Sequence, residues 1–228
     1  MKKVYFTSAT LTFFRQLQKN NNRDWFEAHK AKFESDVREP FQALIADLAT
    51  PLAKISPHFV ADPRKQGGSM FRLYRDTRFS KDKIPYKTWS GARFFHQRSK
   101  QVPAPSFYLH IAPDDCFIGC GIWHPESDTL KRLRAFLDEN PAAWIKATQS
   151  KLFRGRYQFW GESLIRPPRG VDPAHPLLED LKRKSLAAGT ALTQDQVLGD
   201  QLHNIVIDHF KGLAPMVDYL CAALDLEF

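Results

Sequence analysis

Two strongly β-prone runs, Ser106 to Ala112 and Cys116 to Trp123, are joined by Pro113-Asp114-Asp115, and this pairing constrains the chain more than any other feature. Proline presets a turn dihedral and aspartate hydrogen-bonds its own backbone, so a connection this short commits the two runs to an antiparallel hairpin. Side chains alternate across a strand, which sets Phe107, Leu109 and Ile111 on one face and Tyr108, His110 and Ala112 on the other. The first of these faces is wholly apolar and demands a covering layer.

The flanking sequence supplies that layer. Thr7 or Ser8 can cap a helix that turns Leu11, Phe13, Phe14 and Leu17 inward. Asn20-Asn21-Asn22 then reads as a turn, Trp25, Phe26, His29 and Phe33 recur at helical spacing, and a longer helix runs through Phe41, Leu44, Ile45, Leu48 and Leu52 until Pro57 stops it. The first sixty residues therefore read as helical. From Gly67 the pattern shortens to strands at Ser69 to Tyr74 and Gly91 to His96, which join the hairpin. Beyond it, His124-Pro125-Glu126 opens a helix with Pro125 at the first helical position and Glu126 in the first turn, followed by the stripe Leu130, Leu133, Phe136 and Leu137.

A short helix carrying Trp144 and Ile145 follows Asn140-Pro141. An aromatic and basic passage from Phe153 to Trp160 leads to a proline-rich loop, Arg166 to Pro176, that reads as an arm or lid. The chain then reads as a helix near His175 to Lys184, an extended piece from Ser185 to Leu192, and a terminal helix through Leu202, Ile205, Val206 and Phe210. The expectation is a single domain over residues 1–228 of the α+β class, a central antiparallel sheet with a helical N-terminal layer and C-terminal helices.

At 228 residues and 43% hydrophobic, the chain is long enough to bury one substantial core. No window approaches the roughly 18 apolar residues of a membrane span. The basic start is interrupted by Thr7, Ser8, Thr10 and Thr12 and reads as mature sequence rather than a signal peptide. Cys116 and Cys120 would stand roughly 13 Å apart on one strand, too far for a disulfide, and Cys221 leaves the count odd. Reduced, buried thiols and a cytoplasmic location are the expectation; the oligomeric state is left open.

The net charge of +8 is not evenly spread. Residues 64 to 100 hold eleven Lys and Arg against two acids, Asp76 and Asp82, so the rest of the chain sums to −1. Such asymmetry points to an acidic partner, above all a small anionic ligand bearing phosphate. Arg72, Arg75 and Arg78 supply planar guanidinium donors that suit bidentate contact with an oxyanion, Lys83 and Lys87 add charge, and Tyr86 adds an orienting hydroxyl. The competing structural reading pairs Arg75 or Arg78 with Asp76 or Asp82 to stitch the loop together.

Three stretches also carry a resemblance. Asn22-Arg23-Asp24-Trp25-Phe26, then Tyr74-Arg75-Asp76-Thr77-Arg78-Phe79-Ser80-Lys81-Asp82-Lys83 with Pro85-Tyr86-Lys87-Thr88, then the hairpin from Tyr108 ending in Gly121-Ile122-Trp123-His124-Pro125-Glu126, are similar to the bacterial and fungal family known as domain of unknown function 2461. The family brings no assigned activity or catalytic residues. What the resemblance implies is a compact domain in which the three motifs meet.

Two other chemistries compete with anion binding. His124 at a strand-to-helix junction, partnered by Glu126, would suit an acid-base enzyme acting on a phosphorylated or carboxylated metabolite. A nucleic-acid-binding module is the third reading, because Phe71, Tyr74, Phe79, Tyr86, Trp89, Phe94 and Phe95 interleave with the basic residues, and Arg154, Arg156, Tyr157 and Trp160 could extend the surface. No metal site is expected, since no His-x-x-x-His or His-Glu-x-x-His spacing occurs. No cofactor is expected either: Gly119-Cys120-Gly121 sits inside a strand without the rest of a phosphate loop, and no nucleophile elbow is present.

Overall fold

The computed structural model describes residues 2–78 and 81–228. The hairpin forms as expected, with β3 and β4 as its two arms at the middle of an antiparallel sheet. The strands are β1 (Phe59–Val60), β2 (Ser90–His96), β3 (Ser106–Ile111), β4 (Phe117–Ile122), β5 (Gln158–Trp160) and β6 (Leu186–Ala191). They lie side by side in the order β1-β2-β3-β4-β6-β5. The register sets Arg93 opposite Tyr108, His110 opposite Phe117, and Gly119 opposite Gly189.

Alternation decides which face is covered. Phe107, Leu109 and Ile111 are fully buried, joined by Ala92, Phe94, Ile118 and Ala188 from the neighbouring strands. The long helix α10 (Leu202–Ala222) lies over this face, its Phe210 ring 5.0 Å from Phe94 and 4.7 Å from Phe107. Truncating either phenylalanine to alanine would cost about 3–5 kcal/mol.

The N-terminal helices complete the layer. Thr7 caps α1 (Ser8–Lys19) in a reciprocal capping box with Thr10, and the Asn22 side chain accepts from the Trp25 amide to start α2 (Arg23–Ala28). A continuous run follows: α3 (Lys30–Phe33), one π-helical turn (Glu34–Arg38) and α4 (Glu39–Ala53). Phe41, Leu44, Ile45, Leu48 and Leu52 make the buried stripe of α4, as their spacing predicts. The remaining helices are α5 (Ser127–Glu139), α6 (Pro141–Thr148), α7 (Lys151–Arg156), α8 (Leu178–Leu181) and α9 (Gln194–Leu198). The class is α+β, and among the described residues no helix is long and apolar enough to cross a membrane.

Several boundaries differ from expectation. The first sixty residues are not all helical, because Phe59 and Val60 pair with His96 and Phe95 to form β1. Residues 69–74 form no continuous strand; an isolated bridge ties Met70 to Ala92 of β2, and a second, Tyr74–Tyr86, lies within the excursion itself. Phe71 and Leu73 consequently do not share a face, Leu73 being buried and Phe71 36% exposed.

The helix expected from Pro125 begins two residues later, at Ser127. Proline disfavours the helical region for the residue before it, and His124 here takes a positive φ of 46° while Glu126 stays extended as the N-cap. The helix near residues 175 to 184 shrinks to Leu178–Leu181, while the aromatic, basic passage divides into α7 and the edge strand β5.

Candidate functional site

The basic segment is an excursion from the start of β2. The Phe71 amide donates to Gly91 O at 2.9 Å and the Arg93 amide donates to Ser69 O at 2.8 Å. Further out, the Lys87 amide donates to Leu73 O and the Arg75 amide to Pro85 O, both at 2.9 Å, so residues 73 to 87 fold back on themselves. The turn between α1 and α2 anchors the excursion. Phe26 packs on Tyr86 with ring centroids 4.4 Å apart, and Tyr86 is buried at 1% exposure. Tyr86 is thus an anchoring wall, and burial together with its hydrogen bond to Tyr74 pushes its phenol up to about 12.

The cations of the segment divide into two groups. Arg78 grips Asp76 in a two-pronged contact, Nε to Oδ1 at 3.0 Å and Nη2 to Oδ2 at 2.7 Å, and Arg75 donates to Asp82 at 2.7 Å. Hydrogen bonding from Arg78 holds the Asp76 carboxyl below its usual range, and the Ile84 amide with Arg75 does the same for Asp82. Lys83 donates to the carbonyl of Thr77 at 2.9 Å. These are the local Arg–Asp pairs of the structural reading, and they shape the loop.

Lys87 is placed differently. Its ammonium donates to the carbonyl of Arg72 at 3.0 Å and lies 4.8 Å from the ring centroid of Trp89 and 5.2 Å from that of Phe71. Burial, reinforced by the positive charge of Arg72, pushes its pKa below the ordinary lysine value. Lys87 lines a groove of about 600 Å³ whose walls include Asn21, Arg75, Tyr86, Thr88 and Trp89. Phe79 and Ser80, which belong to the same motif, lie outside the described residues.

From this groove the uncovered face of the sheet continues as a band of rings. Trp89 meets His110 at 4.6 Å, His110 stacks on Phe117 at 4.5 Å with planes only 8° apart, and Phe117 meets Trp160 edge-on at 5.0 Å. Phe71 and Tyr108 flank the band, 5.8 Å from each other.

Glycines form the floor beneath it. A Cβ on Gly91 would stand 2.5 Å from the Tyr108 hydroxyl, one on Gly119 would stand 2.7 Å from Cζ3 of Trp160, and one on Gly189 would collide with the same indole. The rings therefore lie close over the backbone of β2, β4 and β6. Arg93, opposite Tyr108, contributes a buried Nε with no hydrogen-bond partner among the described residues. The Tyr108 hydroxyl is 2.9 Å from Nδ1 of His110, and burial pushes Tyr108 up and His110 down to about 4, so a neutral phenol and a neutral imidazole share this hydrogen bond.

His124 and Glu126 are not part of this arrangement. His110 pairs with Phe117 at the start of β4, whereas His124 follows its far end, about 20 Å along the strand direction. Both His124 and Glu126 are exposed, and the His124 amide donates to Ser185 Oγ at 3.0 Å rather than facing outward as an anion donor. Of the aromatics considered for nucleic acid, Tyr86 and Phe94 are core, Tyr157 is buried and sits against His209 of α10, and Arg156 pairs with Asp208. Phe71, Trp89 and Trp160 do reach one face. Arg93 and the glycine floor went unread in the sequence, although Gly91, Gly119 and Gly189 sit in strands where glycine is otherwise unfavourable, which is the signal that would have found them.

The family model described as conserved hypothetical protein (DUF2461) matches residues 9–219. The chain belongs to this family. No curated protein matches this DUF2461 chain in sequence. Two of the three motifs of the resemblance meet in it, at the contact of Phe26 with Tyr74 and Tyr86. The third touches only residues that flank the middle motif, Tyr108 against Phe71 and His110 against Trp89, and its Trp123 to Glu126 end lies beyond the far end of β4.

Proposed function

We propose that this DUF2461 chain binds a phosphate-bearing ligand in the groove beside Trp89, with Lys87 as the principal anion contact. The observation that carries the reading is the state of Lys87 itself: a partly desolvated ammonium, held against two rings and a carbonyl, with its charged form disfavoured. An anion in the groove supplies the compensating charge and occupies the remaining ammonium donors.

Arg72 adds positive potential beside it, and Arg75 stands in the groove wall, able to exchange Asp82 for a ligand oxygen. Arg78 and Lys83 act on loop shape, and Tyr86 fixes the wall through its backbone and ring. His124 and Glu126, at the other end of β4, take no role in this reading.

Titration calorimetry of the wild-type chain and Lys87→Ala against pyrophosphate and a panel of phosphorylated metabolites tests the assignment. Saturable binding by the wild type, weakened about tenfold or more in a folded Lys87→Ala, is the expected result. Equal binding by the two proteins, or none by the wild type, would sink it.

A further inference from the structure

The groove at Lys87 opens onto the band of rings, and the two share charge as well as surface. We propose that the uncovered sheet face is a stacking platform for a short single-stranded nucleic acid, its bases against Phe71, Trp89, Tyr108, Phe117 and Trp160 and its phosphates at Lys87 and Arg93. The proposal rests on Lys87 being an anion contact and names the class of ligand that supplies the anion.

Three observations support it. The first is the glycine floor: the outer edge of the Trp160 indole reaches Gly119 and Gly189 and the Tyr108 hydroxyl end reaches Gly91, so both half-buried rings lie low along the sheet where no side chain intervenes. Every base has a π-face, and stacking on such rings is tolerant of sequence.

The second is extent. Four inter-strand spacings separate β2 from β5, about 19 Å, so a lone base covers only part of the platform whereas a strand of a few nucleotides covers it all. A duplex fails for a different reason, since its bases are already stacked on one another.

The third is charge. Arg93 brings a guanidinium whose buried Nε has no acceptor among the described residues, at the strand position opposite Tyr108, and Lys87 brings its ammonium against Trp89 and Phe71, a supply of positive charge along the aromatic band that suits a polyanion with planar bases. A neutral ring ligand such as a sugar would use the rings and leave both cations without a counter-charge.

Fluorescence anisotropy with labelled oligo-U and oligo-dT of roughly eight nucleotides, long enough to cross the whole platform, gives the test. An abasic phosphodiester of equal length serves as control, because it keeps the charge and lacks the bases. The wild type is expected to bind the base-bearing strands about tenfold or more tightly than the abasic one. Trp160→Leu and Phe71→Leu should each remove roughly fivefold or more of that preference. Lys87→Ala should weaken binding to both kinds of strand and reduce the slope of log K against log salt by about 0.7.

Phe71 lies outside the regular strands, so its variant reports on stacking even if Trp160→Leu fails to fold. Equal affinity for abasic and base-bearing strands, or an unchanged preference in folded Phe71→Leu and Trp160→Leu, would overturn the platform. Pyrophosphate binding that depends on Lys87 without any strand binding would overturn the platform and leave the anion contact standing. Absence of all binding would end both.

Discussion

The side-chain amide of Asn21 makes both backbone hydrogen bonds of Tyr86: Nδ2 donates to Tyr86 O at 2.9 Å, and Oδ1 accepts from the Tyr86 amide at 3.1 Å. One residue in the turn between α1 and α2 therefore holds the groove wall next to Lys87. Asn21→Ala leaves a donor and an acceptor of the backbone unmatched and should cost about 1–3 kcal/mol in urea unfolding. Amide exchange should rise at Arg75 and Lys87, whose backbone bonds close the excursion, and phosphate-ligand affinity should fall without any change in the charge of the groove.

His110 gives the chain a pH dependence of definite sign. Its folded pKa of about 4 lies below the ordinary histidine value of about 6.5, so the unfolded chain binds more protons between those limits. The contribution is complete above about pH 6.5 and is lost as the pH falls through 4, amounting to at most about 3 kcal/mol. Asp115 works weakly against the shift, and His96 and His209, also held low by burial, add slopes of the same sign. Guanidinium unfolding of wild type and His110→Phe at several pH values isolates this contribution: the variant should be weaker near neutrality, where Tyr108 loses its hydrogen-bond partner, yet fall less steeply toward pH 4.

Gly189→Ala should damage the sheet face directly. The added methyl would meet both the Trp160 indole and the carbonyl of Ile118, and the second of these is backbone that cannot swing aside. A loss of about 1–3 kcal/mol or more is expected. Gly155→Ala, where the new Cβ has open space in α7, should be neutral or slightly stabilising by comparison.

The covered half of the fold was legible because burial writes a period into sequence. Leu11, Phe14 and Leu17, the α4 stripe and the Phe107, Leu109, Ile111 alternation each announced an element and its inward face. The uncovered half was harder to read. Phe71 and Trp89 look like core aromatics in composition, yet the isolated bridge of Met70 to Ala92 leaves Phe71 exposed with Trp89 half-buried beside it. Local Arg–Asp pairing was legible from proximity in sequence, whereas the special state of Lys87 depends on Trp89 and Phe71 enclosing it in space. The distance between His124 and the basic segment follows from the direction of β4, which pairing register alone reveals.

Pairing within the loop predicts an asymmetry between two basic residues. Arg78→Ala removes a guanidinium already engaged by Asp76, so phosphate-ligand affinity should stay within about threefold of wild type, set against the tenfold loss at Lys87. Equal losses in calorimetry would show that charge in the segment acts collectively rather than through one contact.

The three thiols should be silent in the native protein. Cys116, Cys120 and Cys221 are free and buried, and burial pushes all three pKa values up. A thiol reagent should react slowly at pH 8 with the folded chain and titrate three equivalents once guanidinium is added.

The two outermost strands of the sheet are also its shortest, two residues in β1 and three in β5, while β2 at the interior has seven. A protein that leaves aromatic rings open on a sheet risks recruiting further copies edge to edge into a growing ladder. Such truncated borders offer an incoming strand almost nothing to zip against. The molecule can thus carry a band of rings on one sheet face while denying it the geometry of a fibril.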